Sequence, residues 1–197
     1  MDAIFDGVGS VKRIFHLTAT GEPMALTRAP FENEAELQAV IANHPEIIGA
    51  AINRDLLLVR REQPIADKAG GGDRWSIDHL FVDRDGTPVL VEVKRATDTR
   101  ARREVVAQML DYAANGSAYW NESGLRDGFA ATCKARGPAE DADPEHVLSG
   151  FLEEGADPAA FWQTLEGKLR NGQLVMLFVA DQIPDELSRI VEFLNEQ

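Results

Sequence analysis

The chain has 197 residues, 44% of them hydrophobic, enough for one substantial core. Its net charge of −13 argues against a protein that coats nucleic acid nonspecifically, and its single cysteine, Cys133, excludes an intrachain disulfide and fits a reducing compartment. The longest apolar runs fall far short of a membrane span, and the acidic N-terminus MDAIFDGVGS lacks the apolar core of a signal peptide, so the expected location is cytoplasmic, with no membrane partner.

In chain order, Val11 to Thr18 and Met24 to Thr27, joined across Gly21-Glu22-Pro23, predict a hairpin within an N-terminal segment, residues 1–30. The core is expected over residues 31–115. Asn33 suits the N-cap of a helix over Glu34 to Asn43, with Leu37, Val40 and Ile41 on the buried face. Pro45 and the stretch to Gly49 close that segment. Leu56 to Ile65 reads as the first core strand, and Lys68 to Asp73, with three consecutive glycines, as a flexible loop.

Ser76 to Val82 and Pro88 to Lys94 alternate β-branched and polar residues around the turn signal Asp83-Arg84-Asp85-Gly86-Thr87. A three-residue loop, with Gly86 at the position of positive φ, pairs 82 with 88, 80 with 90 and 78 with 92. Asp78 then lies opposite Glu92, with Cβ atoms about 4.5–5.5 Å apart, and Lys94 shares the face of Glu92. Two carboxylates at that distance repel unless a cation lies between them. A hard divalent ion, Mg²⁺ with Mn²⁺ as substitute, suits such oxygen ligands. A two-residue loop would turn Asp78 to the opposite face, and the alternative reading is a surface hairpin with its charges in water.

Arg100 to Asn115 has strong helix formers and a stop signal at Asn115-Gly116. Ala101, Val105, Gln108 and Tyr112 form one stripe of it, one turn separating the last two. Arg95, Arg100, Arg102 and Arg103 cluster beside Lys94, either to meet phosphates or as a solvated helix start. From Arg54 to Arg103 there are eleven Lys/Arg and nine Asp/Glu, a local charge of +2, against −15 for the remainder. Residues 116–172 read as a helical insertion, with helical pieces at Pro144 to Glu154 and Pro158 to Asn171, and with Trp120, Phe151, Phe161 and Trp162 as its own small core. Residues 173–197 supply a buried strand, Gln173 to Ala180, and a helix from Asp185 to Asn195. The chain stops there without a capping glycine and reads as the N-terminal module of a longer protein with an additional C-terminal domain.

Asp78 followed by Glu92-x-Lys94 resembles the core of the PD-(D/E)XK nuclease superfamily, with Ile77 in place of the usual proline. Gln108-Met109-Leu110-Asp111-Tyr112 resembles the Q-x-x-x-Y element of its RecB-type and NucS-type branches. The resemblance covers about Phe31 to Asn115, with Leu174 to Ala180 as a last core strand. It implies an α/β fold with a restriction-endonuclease-like αβββαβ core, a central mixed sheet flanked by helices. It further implies an acidic metal ligand from the first helix, where Glu34 matches the E-x-x-L spacing and Glu36 is second choice, and a ligand from the Val93 backbone carbonyl. Gln108 and Tyr112 would steady the site and Lys94 would orient the attacking water. The expected function is Mg²⁺-dependent hydrolysis of DNA, as an endonuclease in repair, restriction or defence, with DNA as partner and a homodimer left open. The alternative is a catalytically silent nucleic-acid- or protein-binding module of a larger effector.

Overall fold

A computed structural model of the chain describes residues 14–27, 29, 31–66, 73–95, 101–137 and 142–196. The chain divides into two units, Met1–Phe31 and Glu32–Gln197. The first holds an antiparallel hairpin, β1 (Ile14–Leu17) with β2 (Pro23–Leu26), turning at Gly21 with φ 81°. The expected start of this hairpin at Val11, and the Lys68 to Asp73 loop up to residue 72, lie outside the described residues.

The second unit begins with α1 (Glu34–Asn43) and α2 (Pro45–Ile52). Asn33 caps α1 by accepting the Glu36 N–H at 2.8 Å. Leu37 and Ile41 are buried as the helical period demands, but Gln38 and Ala42 are buried with them while Val40 is only half-buried. Helix α1 ends at Asn43, just before Pro45, as expected, but a second helix begins at the proline. It occupies the first turn of α2, where its missing N–H costs no hydrogen bond.

Three antiparallel strands follow, β3 (Leu56–Ala66), β4 (Asp73–Asp83) and β5 (Pro88–Lys94), and β6 (Val175–Ala180) joins β5 in parallel to give the order β3-β4-β5-β6. The result is an α/β fold with a four-stranded mixed sheet flanked by helices. The β4–β5 ladder pairs Val82 with Pro88 and Leu80 with Leu90, the register of a three-residue loop. Asp83 holds that loop: its Oδ1 accepts from the N–H groups of Asp85 and Thr87, and its other oxygen binds Arg54. Gly86 takes φ 73°, which only glycine adopts without strain. Lys168 Nζ reaches across to the Asp85 carbonyl at 2.8 Å and locks the turn from outside.

Both faces of β5 are covered. Leu80, Val82 and Leu90 pack on a cluster built from α3 (Ala101–Tyr119), α4 (Glu122–Ala135), α5 (Pro144–Phe151) and α6 (Pro158–Arg170). Phe81, Val89, Val91 and Val93 alternate with them and are also fully buried, on the side of α1 and α2. Each such side chain contributes about 1.5–3 kcal/mol by leaving water. β6 is the sheet's edge and is half-buried along its length, not buried as its apolar sequence suggests; α7 (Asp185–Asn195) lies beside it. Among the described residues no helix is long and apolar enough to cross a membrane.

Two expectations for the segment after residue 115 fail for packing reasons. Helix α3 runs through Gly116 to Tyr119, and α4 is an additional helix that a polar, glycine-containing sequence conceals. Trp120, Phe161 and Trp162 do not form a separate core; they join the cluster that covers the sheet. Gly116 is buried because the Trp120 ring lies against it, and the indole is pinned by its N–H bond to the Pro64 carbonyl at 2.8 Å. A Cβ at position 116 would stand 2.7 Å from that ring. Gly116→Ala should therefore lower the melting temperature, because an overpacking cost of about 1–3 kcal/mol outweighs the about 1 kcal/mol that alanine gains in a helix. An unchanged or higher melting temperature would mean that the indole simply moves aside.

Candidate functional site

The β4–β5 ladder is paired as far as His79 and Val91. One residue further, the strands are tied by a side chain: Asp78 Oδ2 accepts the Val93 N–H at 2.7 Å. Asp78 is half-buried and Glu92 is 2% exposed. His79, alternating with Asp78, turns the other way and its Nε2 meets the Gln38 carbonyl of α1 at 2.9 Å.

Lys94 Nζ lies 2.8 Å from Glu92 Oε1 and 3.8 Å from Glu34 Oε1, so the first helix and the β5 strand meet at this ammonium. From α3, Gln108 Nε2 donates to the same Glu92 oxygen at 3.2 Å and also to the Tyr112 hydroxyl. Glu92 Oε2 is buried and, among the described residues, has no hydrogen-bond partner. Glu36 is used differently: its carboxylate accepts the Glu32 N–H at 2.6 Å and completes the cap of α1. Arg95 is half-buried and donates to the Glu32 carbonyl at 2.8 Å, which ties it to the chain entering α1. Arg100 lies outside the described residues, as do the side chains of Arg102 and Arg103.

Charge is under strain here. Burial, then the neighbouring Asp78, pushes the Glu92 carboxyl up to about 7, against the opposing hydrogen bond and charge of Lys94. Asp78 is raised by burial as well, less so because the Val93 N–H and Lys94 favour its ionised form. Burial alone would lower Lys94, but the bond to Glu92 and the charges of Glu92, Asp78 and Glu34 raise it, keeping the ammonium protonated. Tyr112 is raised by burial and remains a phenol. Three carboxyl groups, Glu34, Asp78 and Glu92, thus act on one ammonium. Among the described residues no three His, Cys, Asp or Glu side chains are drawn together closely enough to form a metal-ligand group; Lys94 stands between Glu34 and Glu92.

No protein-family profile, no curated protein and no solved structure matches the chain.

Outside this cluster lies a feature with a weak sequence signal. Arg60 and Arg61 of β3 and Arg136, just past α4, line one cleft. The adjacent pair is visible in the sequence, but Arg136 reaches it only through the packing of α4 on β3.

Stability should report the buried carboxyl directly. A carboxyl whose folded pKa is about 7, against 4.5 ordinarily, binds more protons folded than unfolded, so its ionisation costs stability as pH rises through that interval. His79 acts in the opposite sense. Burial holds it at about 4, so the folded chain binds fewer protons than the unfolded one below 6.5, and stability rises with pH there. The two slopes offset each other in the parent. Glu92→Gln removes one of them, so its stability relative to the parent should rise from about pH 5 to about pH 7.5 by up to about 3 kcal/mol. Urea denaturation in EDTA measures this, and a difference independent of pH would show that Glu92 does not titrate in that range.

Proposed function

We propose that the protein is a metal-dependent nuclease that hydrolyses DNA phosphodiester bonds, with Asp78, Glu92 and Lys94 at its centre in a restriction-endonuclease-like core. The observation that carries the reading is a buried and a half-buried carboxylate beside a lysine, one oxygen, Glu92 Oε2, being buried without a partner among the described residues. A buried acceptor without a partner is costly, and a hard cation with oxygen ligands would satisfy it. Asp78 and Glu92 fit such an ion in charge and donor type. Glu34 adds negative potential from α1, and the resemblance to the superfamily implies the Val93 carbonyl as a further ligand.

A bound Mg²⁺ or Mn²⁺ would supply Lewis acidity toward the phosphoryl group and a water of lowered pKa. The chain's own residues do the rest. Lys94, kept protonated by its acidic neighbours, donates to the attacking water or to the phosphoryl oxygens where charge develops. Gln108, anchored on Tyr112, holds the Glu92 carboxylate in one orientation. The reading is supported by the succession along the chain of an acidic helix start in α1, the β4–β5 hairpin and the Gln108–Tyr112 pair on α3, with α2 following α1 and α4 to α6 preceding β6.

A second reading is a catalytically silent nucleic-acid- or protein-binding module, favoured by the Lys94–Glu92 ion pair, which neutralises the buried carboxylate without a metal. Cleavage decides between them. With Mn²⁺ and supercoiled plasmid, the parent should nick DNA, and Lys94→Ala should lose on the order of 10²–10³ in rate while keeping its fold. Asp78→Ala and Glu92→Ala should be inactive. Nicking that is undiminished in Lys94→Ala would remove the lysine from the chemistry, and no nicking by the parent under any divalent cation would favour the silent module.

A further inference from the structure

The cleft lined by Arg60, Arg61 and Arg136 has a volume of about 370 Å³ and opens between the end of α1, β3 and α4. Its charges are unusual for this chain. Thirty-three acidic residues face twenty basic ones, and Arg54, Arg84, Arg126 and Arg170 each meet a carboxylate. Among the described residues none of the three cleft arginines does. Arg61 Nη2 reaches only the Gln38 amide oxygen at 3.5 Å, and Arg136 Nη2 only the Ala42 carbonyl at 3.3 Å. The α4 wall is kept low by small residues. At Gly128 a Cβ would stand 3.1 Å from Arg60 Cδ, so the missing side chain leaves the arginine room to lie along the helix.

The cleft adjoins the strand that carries Asp78. β3 is an edge strand on which Arg60 pairs with Leu80, on the face of Asp78, and Arg61 with His79, on the α1 face. Adjacent strands are about 4.8 Å apart. Along α1, Glu34 at the start and Ala42 in the cleft are eight residues apart, about 12 Å at 1.5 Å per residue. That is the axial span of about three to four phosphates at 3.4 Å per nucleotide. Guanidinium groups present planar pairs of N–H donors that match phosphate oxygens.

We propose that this cleft holds a backbone phosphate of the nucleic-acid strand that lies across the carboxylate site, making Arg60, Arg61 and Arg136 positioning residues for the substrate. The inference rests on the reading of the protein as a nuclease. It adds to the arginines after Lys94 a second basic surface, on the β3 side of the sheet.

The test is binding of a fluorescent oligonucleotide by anisotropy in EDTA, where no cleavage occurs, over a range of salt. Arg61→Gln/Arg136→Gln is the main variant because both side chains are exposed and their loss leaves the core intact. Arg126→Gln/Arg170→Gln, removing the same charge from paired surface arginines, is the control. The main variant should bind about tenfold more weakly with a salt slope shallower by about 1, roughly 0.9 per lost phosphate contact, and the control should match the parent. Adding Arg60→Gln should weaken binding further. If the main variant binds like the parent, or no worse than the control, the inference is overturned, and Mn²⁺-dependent nicking by the parent would still leave the nuclease reading standing. If the parent neither binds nor nicks DNA, both fall together.

Discussion

Glu92 sits on β5, the strand that helices cover on both faces, and its carboxyl group is almost wholly removed from water. Such a group must be neutralised, by a proton, by an ammonium or by a metal, because an isolated buried charge costs several kcal/mol. The chain provides all three routes in part. The carboxyl is raised to about 7, Lys94 stands at 2.8 Å, and the second oxygen is left without a partner among the described residues. Much of the surrounding structure serves to hold this arrangement in place. The Asp83 turn fixes the register, Asp78 ties the end of the hairpin to Val93, and α3 brings Gln108 against the first oxygen. The same burial that strains the carboxylates would strengthen any electrostatic interaction with a phosphodiester, since field effects grow as water is excluded.

The part of this site that is legible in the sequence is the part governed by local rules. Alternation gives the faces of β4 and β5, and the Asp-x-x-Gly turn gives the loop length, so the pairing of Leu80 with Leu90 follows from a few residues. The Asn33 cap and the helical spacing of Gln108 and Tyr112 are equally local, as is α7, whose bounds match its apolar pattern.

What escapes is set by packing between distant segments. Gly116 reads as a helix stop, yet it is the floor for an indole held by Pro64, more than fifty residues earlier in the chain. Apolar β6 reads as buried, yet its place at the edge leaves it half-buried, and that place is decided by which strand pairs last. Glu36 and Glu34 stand two positions apart with similar distance from the buried face. One caps the helix and the other approaches Lys94, a choice made by the entry path of the chain, which is not a periodic property. The arginine cleft depends on α4 folding back over β3, and no local pattern announces that contact.

The central claim is that the Asp78–Glu92 pair is a site for a divalent cation. Calorimetric titration of the parent, Asp78→Asn and Glu92→Gln with Mg²⁺ and Mn²⁺ tests it most directly, because it needs no substrate and no assumption about the reaction. The account requires one saturable binding event in the parent that is lost or greatly weakened in both variants. No saturable heat in the parent, or equal affinity in either variant, would contradict it and leave the buried carboxylate neutralised by Lys94 alone.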